Sequence, residues 1–136
     1  MIDIIVLNRN LRLHDNAALF YGSLRSNYIV IYLYDEKYWE GNGKSSRQLK
    51  FAIDCLNELD QDLKKINSEI NIFEGSFEML KIWIKENFSD YRIHMNHCTD
   101  IGYFRTGFEN FKNYFGKRVR VYAVSYTHLT LPTKEG

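Results

Sequence analysis

Scarcity is informative here: two cysteines, one proline and no long apolar run in 136 residues. Cys55 and Cys98 lie far apart and form no Cys-x-x-Cys, and the amino terminus lacks the charged-then-apolar pattern of a secretory signal. Both features point to a reducing cytoplasm. No apolar stretch approaches the length that spans a bilayer, so a membrane role has no support. Neither sign of charge dominates: the formal net charge is +1, and no stretch concentrates cations as a phosphate-tracking surface does. The chain by itself is therefore expected to bind DNA weakly if at all. Neither G-x-G-x-x-G nor G-x-x-x-x-G-K-S/T occurs, which removes nicotinamide dinucleotide and P-loop nucleotide chemistry.

What the chain does have is apolar and aromatic content, 45% and 15% of residues, enough for one folded domain with a proper core. Ile2 to Leu7 and Tyr28 to Tyr34 are near-continuous apolar runs, as strands covered on both faces require. Ile70 to Phe73, Arg92 to Met95 and Val119 to Tyr122 repeat that signal in shorter form. Between them, Leu49, Ile53, Leu56, Leu59, Leu63 and Ile66 fall on one helical stripe, and Phe104, Phe108, Phe111 and Phe115 on another. Ser45 to Gln48 reads as a capping box, Ser76 as a helix cap and Gly116 as a helix stop. The order β-α-β-α-β-α-β-α-β predicts an α/β fold, a Rossmann-like doubly wound parallel sheet of five strands with helices on both faces. Its ligand crevice is expected beyond the carboxyl ends of the strands. Trp39, Trp83 and the tyrosines are expected to pack rather than to form a redox chain.

The run Asn8-Arg9-Asn10-Leu11-Arg12-Leu13-His14-Asp15-Asn16 follows the first strand and leads into the helix-like Ala17-Ala18-Leu19-Phe20. It puts cations and caps at the usual wall of that crevice. Arg9 and Arg12 can meet an anionic ligand through the guanidinium fork, or Arg12 can pair with Asp15 and brace the turn. Asp15 and Asn16 read mainly as helix caps. Arg47, opening the long helix, either stacks on a flat heterocycle or is a solvated first-turn residue. His94, His97, Cys98 and Asp100 cluster in sequence, but their spacing matches no closed four-ligand metal pattern, and a loop wall is the simpler reading. A Cys98 nucleophile lacks a base oriented by the sequence.

Leu11-Arg12-Leu13-His14-Asp15-Asn16-Ala17-Ala18-Leu19 resembles the opening signature of the photolyases and cryptochromes, Arg/Lys-x-Asp-Leu-Arg-x-x-Asp-Asn-x-Ala-Leu after an apolar-aromatic strand. Asn8 stands where that family has Arg or Lys, and Asn10 where it has Asp. The likeness continues through Tyr34-Asp35, Trp39, Ser45-Ser46-Arg47-Gln48 and Cys55-Leu56-Asn57-Glu58-Leu59. It reaches Ile72-Phe73-Glu74-Gly75-Ser76, and Thr99-Asp100-Ile101-Gly102-Tyr103 is similar to a Thr-Gly-Asn-Gly-aromatic run of one branch, with His97-Cys98 replacing the acidic pair before it.

The resemblance implies an N-terminal domain that in some members holds an antenna chromophore, a folate, a deazaflavin or a second flavin. FAD, the electron-transfer tryptophans and the DNA-lesion pocket would belong to a following helical domain, the expected partner, through which damaged DNA would be met. Arg9, Asp35, Asn42, Arg47 and Asp100 become the antenna candidates, and Arg12, Asp15 and Asn16 structural residues of the opening motif. Asn42 occupies a place where folate-binding members have His. On this reading the domain has an optical and structural role without bond chemistry, and repair and signalling members are not separated. A stand-alone nucleotide-binding or signalling module of the same sheet type is the other reading.

Residues 1–124 are expected to form the domain. Residues 125–136 hold the sole proline and read as adapter-derived sequence, with a native polar loop as the alternative. The surface around the phenylalanine-rich fourth helix is expected to be exposed and sticky without a partner domain.

Overall fold

A computed structural model describes residues 1–8, 16–37, 46–98 and 102–123, the positions 46–49 by their main chain alone. Five strands, β1 (Ile2–Leu7), β2 (Tyr28–Tyr34), β3 (Ile70–Glu74), β4 (Tyr91–Asn96) and β5 (Val119–Tyr122), form one sheet in the order β3-β2-β1-β4-β5. All neighbouring pairs are parallel, with Ile5 opposite both Val30 and His94. The helices are α1 (Ala17–Gly22), α2 (Ser46–Lys64), α3 (Phe77–Asn87) and α4 (Tyr103–Phe115), the last followed by a 3₁₀ turn at Gly116–Arg118. The order reverses at β1: the chain steps outward to β2 and β3, then crosses back to β4 and β5. That is the doubly wound arrangement expected from the alternation of strands and helices.

Alternate residues of each strand feed two cores. Ile4, Val6, Ile31, Leu33, Ile93 and Met95 face α3 and α4. Ile5, Leu7, Tyr28 and Val30 face α1 and α2. The helices thus cover opposite faces, which is why β1 and β2 carry almost no polar residues.

The phenylalanine stripe of α4 points inward, while Tyr103 and Tyr114 of the same helix stay exposed. Phe104, Phe108, Phe111 and Phe115 are all buried, and Phe77 of α3 lies with its ring 5.0 Å from Phe104 and 5.3 Å from Phe111. A stripe at helical spacing is most stable against the sheet, and the outer side of α4 instead carries Arg105, Glu109 and Lys112 in ion pairs. Trp83 packs between Phe73 and Phe88, as a packing residue should.

In α2 the stripe is buried at Leu56, Leu59 and Leu63, but Ile53 is exposed. The 19 residues of α2 rise about 28 Å, whereas the seven of β2 span about 23 Å, so the helix is longer than the strand it follows. Ser76 caps α3 by accepting from the Met79 N–H, and Gly116, at φ 56°, ends α4, both as expected. The Ser45 to Gln48 capping box, Trp39 and the tail from 124 lie outside what is described.

One charged residue interrupts β1. Asp3 is 2% exposed, and its carboxylate accepts two hydrogen bonds from Arg25, at 2.9 and 3.1 Å, and one from His94 Nε2 at 2.8 Å. His94, on β4, is equally buried, and its Nδ1 lies 2.8 Å from the hydroxyl of Tyr122 on β5. An ionised carboxylate can only accept, so His94 carries its proton on Nε2 and accepts from Tyr122 at Nδ1. Burial pushes the His94 imidazole below its ordinary value of 6.5, the nearby Asp3 only partly opposing it. Burial alone would raise the Asp3 carboxyl, but the bonds from Arg25 and His94 outweigh it and hold the group below 3.8.

α1 rides directly on this network, and Gly22 permits it. A Cβ there would lie 2.4 Å from Ile5 Cγ1 and 3.2 Å from His94 Cδ2. Gly22→Ala should therefore cost about 1–3 kcal/mol by overpacking, read as a lower urea midpoint. Because both depressed groups bind protons more readily when unfolded, stability should fall as pH drops below 6.5, and fall again below 3.8. Urea midpoints at about pH 7 and about pH 5 check the first step, and an unchanged midpoint would contradict it.

Candidate functional site

Ligands of doubly wound sheets bind beyond the strand carboxyl ends, above all where the strand order reverses. Here that point lies between β1 and β4, and two asparagines close it. Asn16 caps α1, its Oδ1 accepting from the Leu19 N–H at 3.2 Å. Asn96, at the end of β4, donates to the same Oδ1 at 2.8 Å and accepts from the Ala18 N–H at 3.0 Å. The Ala18 and Leu19 amide donors of this short helix are thus satisfied by side chains. Asn16 fulfils the cap expected from the sequence. Arg9, Arg12 and Asp15 lie outside the described residues.

The open part of the crevice lies over β2 and β3. Asp35 follows β2 and is 6% exposed. Its Oδ1 accepts from the Lys37 main-chain N–H at 3.1 Å, and its Oδ2 from the Tyr103 hydroxyl at 2.9 Å. Tyr103 opens α4, so this bond ties the carboxyl end of β2 to the start of a helix 68 residues later. Burial, with the Asp35 bond added, pushes the Tyr103 phenol above its ordinary value, and the hydroxyl stays a donor throughout the physiological range. The Lys37 ammonium sits 5.0 Å from the centre of the Tyr103 ring.

Two hollows flank this pair. One, of about 620 Å³, is lined by Asp35, Lys37, Glu74, Ser76, Met79 and Tyr103. The other, of about 350 Å³, runs between α3 and α4 past Phe77, Lys81, Thr106 and Asn110. Both fall in the size range of small-molecule sites. Around the larger hollow, Asp35, Glu36 and Glu74 outnumber Lys37 among the described residues. That balance suits a neutral, flat ligand with N–H groups better than a phosphate.

Of the five binding candidates, Asp35 lies in the crevice. Arg47 is the second residue of α2, with its side chain outside what is described. Arg9, Asn42 and Asp100 lie outside as well. The sequence cluster of metal-type residues is split where the chain leaves β4: His94, on the strand, faces α1, while Cys98, beyond its end, is buried in the core beneath α3 and α4. Among the described residues, no group of three His, Cys, Asp or Glu is placed to hold a metal.

Sequence reasoning did not single out Tyr103 as a partner of Asp35, nor Asn96. A polar residue ending an apolar strand was the available signal for Asn96. Asp3 could have been found as a charge inside an otherwise apolar strand, which must be paired when buried.

Residues 4–98 match the DNA photolyase family. A (6-4) DNA photolyase of Arabidopsis thaliana is 33% identical over 82 residues, which cover 53% of this chain and 15% of the relative. An archaeal photolyase from Sulfolobus tokodaii, solved with two FAD molecules that imply a novel light-harvesting cofactor, superposes with a TM-score of 0.65. It shares 23% identity over 92% of this chain and 29% of its own. A class III photolyase from Agrobacterium tumefaciens gives 0.63 and 20% identity over 89% of this chain and 25% of its own. The chain therefore spans less than a third of the length of each of these proteins.

Asn96→Leu should remove the partner of the Ala18 N–H and one of the bonds to Asn16 in a partly buried setting, at a cost of about 1–3 kcal/mol. The urea midpoint would record it, and a neutral result would show that water replaces the amide.

Proposed function

The chain belongs to the DNA photolyase family, and on that premise we propose that it is the N-terminal light-harvesting and structural domain of a deoxyribodipyrimidine photolyase or cryptochrome. In that reading a helical FAD domain of the same protein is its partner. The intact protein uses light to repair pyrimidine dimers in DNA, and this domain meets DNA only through its partner. The carrying observation is the crevice itself: a hollow of about 620 Å³ at the carboxyl ends of β2 and β3, with the Asp35–Tyr103 pair on its wall.

The donor set fits the ring system of a folate, deazaflavin or flavin better than its tail. Asp35 supplies carboxyl oxygens suited to ring N–H groups, and Tyr103, 41% exposed, offers an aromatic flank. When bound, such a chromophore absorbs near-ultraviolet or blue light and passes the excitation on to FAD. The protein's part is to hold the ring: the bond between Asp35 and Tyr103 fixes both side chains before a ligand arrives, which lowers the ordering cost of binding. Arg9, Asn42, Arg47 and Asp100 complete the proposed set. The acidic lining lends no support to a stand-alone phosphate-binding module. Cys55 and Cys98 are thiols rather than a disulfide, in keeping with a reducing cytoplasm, and no described helix is long and apolar enough to cross a membrane.

Titrating the chain with a reduced folate, a deazaflavin, FMN and FAD, followed by ligand fluorescence, tests the proposal. One of the four should bind saturably, and Tyr103→Phe, which deletes one hydrogen bond on the wall, should weaken it roughly 5- to 10-fold. In the full-length protein, Arg47→Ala should lower antenna occupancy while FAD content stays intact. Absence of saturable binding by all four would refute the antenna role.

A further inference from the structure

The network beneath α1 continues beyond Asp3 and His94 to an aromatic pair at the surface. Tyr122, His94 and Asp3 stand side by side on three adjacent strands, β5, β4 and β1, on one face of the sheet. The Tyr122 hydroxyl lies 2.8 Å from His94 Nδ1, and His94 Nε2 lies 2.8 Å from Asp3 Oδ1. The Tyr122 and His94 rings are parallel to within 1°. On the outer side, the Tyr122 ring stacks on Tyr21 of α1, with centroids 5.0 Å apart and planes 17° from parallel. Tyr21 is 45% exposed. A line of groups thus runs from solvent through two stacked phenols to a buried base and its carboxylate.

A phenol that loses an electron becomes a strong acid, so its oxidation is easy only where a base takes the proton in the same event. His94 Nδ1 is such a base: its other nitrogen carries the proton given to Asp3, leaving Nδ1 as the acceptor. We propose that Tyr122 is a redox-active tyrosine, giving one electron to a one-electron oxidant of the photo-excited flavin class while its phenolic proton passes to His94.

The step balances. The Tyr122 O–H bond breaks and an N–H bond forms at His94 Nδ1, leaving a neutral tyrosyl radical and an imidazolium. The electron leaves by way of the stacked Tyr21 ring, and the oxidant is reduced by one electron. The new imidazolium faces the Asp3 carboxylate at hydrogen-bond distance, so the positive charge forms beside its counter-ion inside the fold. Arg25, bidentate on the same carboxylate, keeps Asp3 in place. Return of the electron reverses both transfers. The assignment is independent of what occupies the crevice over β2 and β3.

Flash photolysis of the chain with free FMN as the photo-oxidant reads the step directly, through the absorption and electron paramagnetic resonance of the neutral tyrosyl radical. A fast phase is expected that slows in heavy water, disappears in Tyr122→Phe and survives in Tyr114→Phe, which removes another half-exposed tyrosine. His94→Gln, which can still hydrogen-bond but is no longer a base, should lose the fast phase with Tyr122 present. Should that variant not fold, the isotope effect and Tyr122→Phe decide alone. A fast phase that persists in Tyr122→Phe, or that is insensitive to heavy water, overturns the proposal and leaves the network a purely structural one.

Discussion

A central strand of a parallel sheet has no solvent face, and every polar atom on it must find its partner inside the protein. β1 is that strand here, paired on both sides and covered above and below. Asp3 is its one ionisable side chain, and much of the neighbourhood is organised by the need to satisfy it. Arg25 comes from the turn after α1, His94 from β4, and Tyr122 completes the far side of the imidazole from β5. Removing one member would leave a charge or a donor buried without its counterpart, which costs far more than the intact pair contributes. The network thereby fixes the register of β1 against β4 and the height at which α1 crosses both. Gly22 is the consequence: with the helix that close, there is no room for a side chain.

The same crossing shapes the crevice. Once α1 is pressed onto β1 and β4, its amino end meets the end of β4, and Asn16 and Asn96 satisfy its first amides. At the reversal point of the sheet, where many folds of this kind seat a phosphate, two amide side chains are the bonded groups among the described residues. The opening shifts toward β2 and β3, where Asp35 and Tyr103 form the wall. Its acidic lining follows from the residues that end those strands, Asp35 with Glu36 and Glu74. On the proposed reading, a ligand there meets the protein through its ring edges and faces, in keeping with a sequence that has no glycine-rich phosphate loop.

Much of the architecture was legible in the chain. Continuous apolar runs at 2–7 and 28–34 announced strands buried on both faces, because only a sheet covered by helices on each side leaves no polar alternation. The spacing of Phe104, Phe108, Phe111 and Phe115 announced a helix with one apolar face. That face meets Phe77 and the sheet, while Tyr103 and Tyr114 of the same helix stay exposed. Periodicity tells that a face must be covered and is silent about the cover. Asp35 was legible as a residue at the end of a strand, but its bond to Tyr103 joins residues 68 positions apart and has no local signature. His94 and Cys98, close in sequence, were grouped as possible ligands, yet β4 ends at Asn96 and the chain beyond it carries Cys98 into the core on the other face from His94.

By itself the sequence determined the order and type of the elements, the doubly wound class and the family. Those properties follow from local patterns, namely period, caps and motif spacing, that a chain carries wherever it folds. Tertiary structure alone decided that Asp3, Arg25, His94 and Tyr122 form one chain of hydrogen bonds, that two asparagines close the reversal point, and that Tyr103 reaches Asp35. Each of these joins residues brought together by parallel crossovers, and in a parallel sheet every strand neighbour is distant in sequence. The pairing of such residues is set by register and helix placement, which come into being only when the whole sheet assembles.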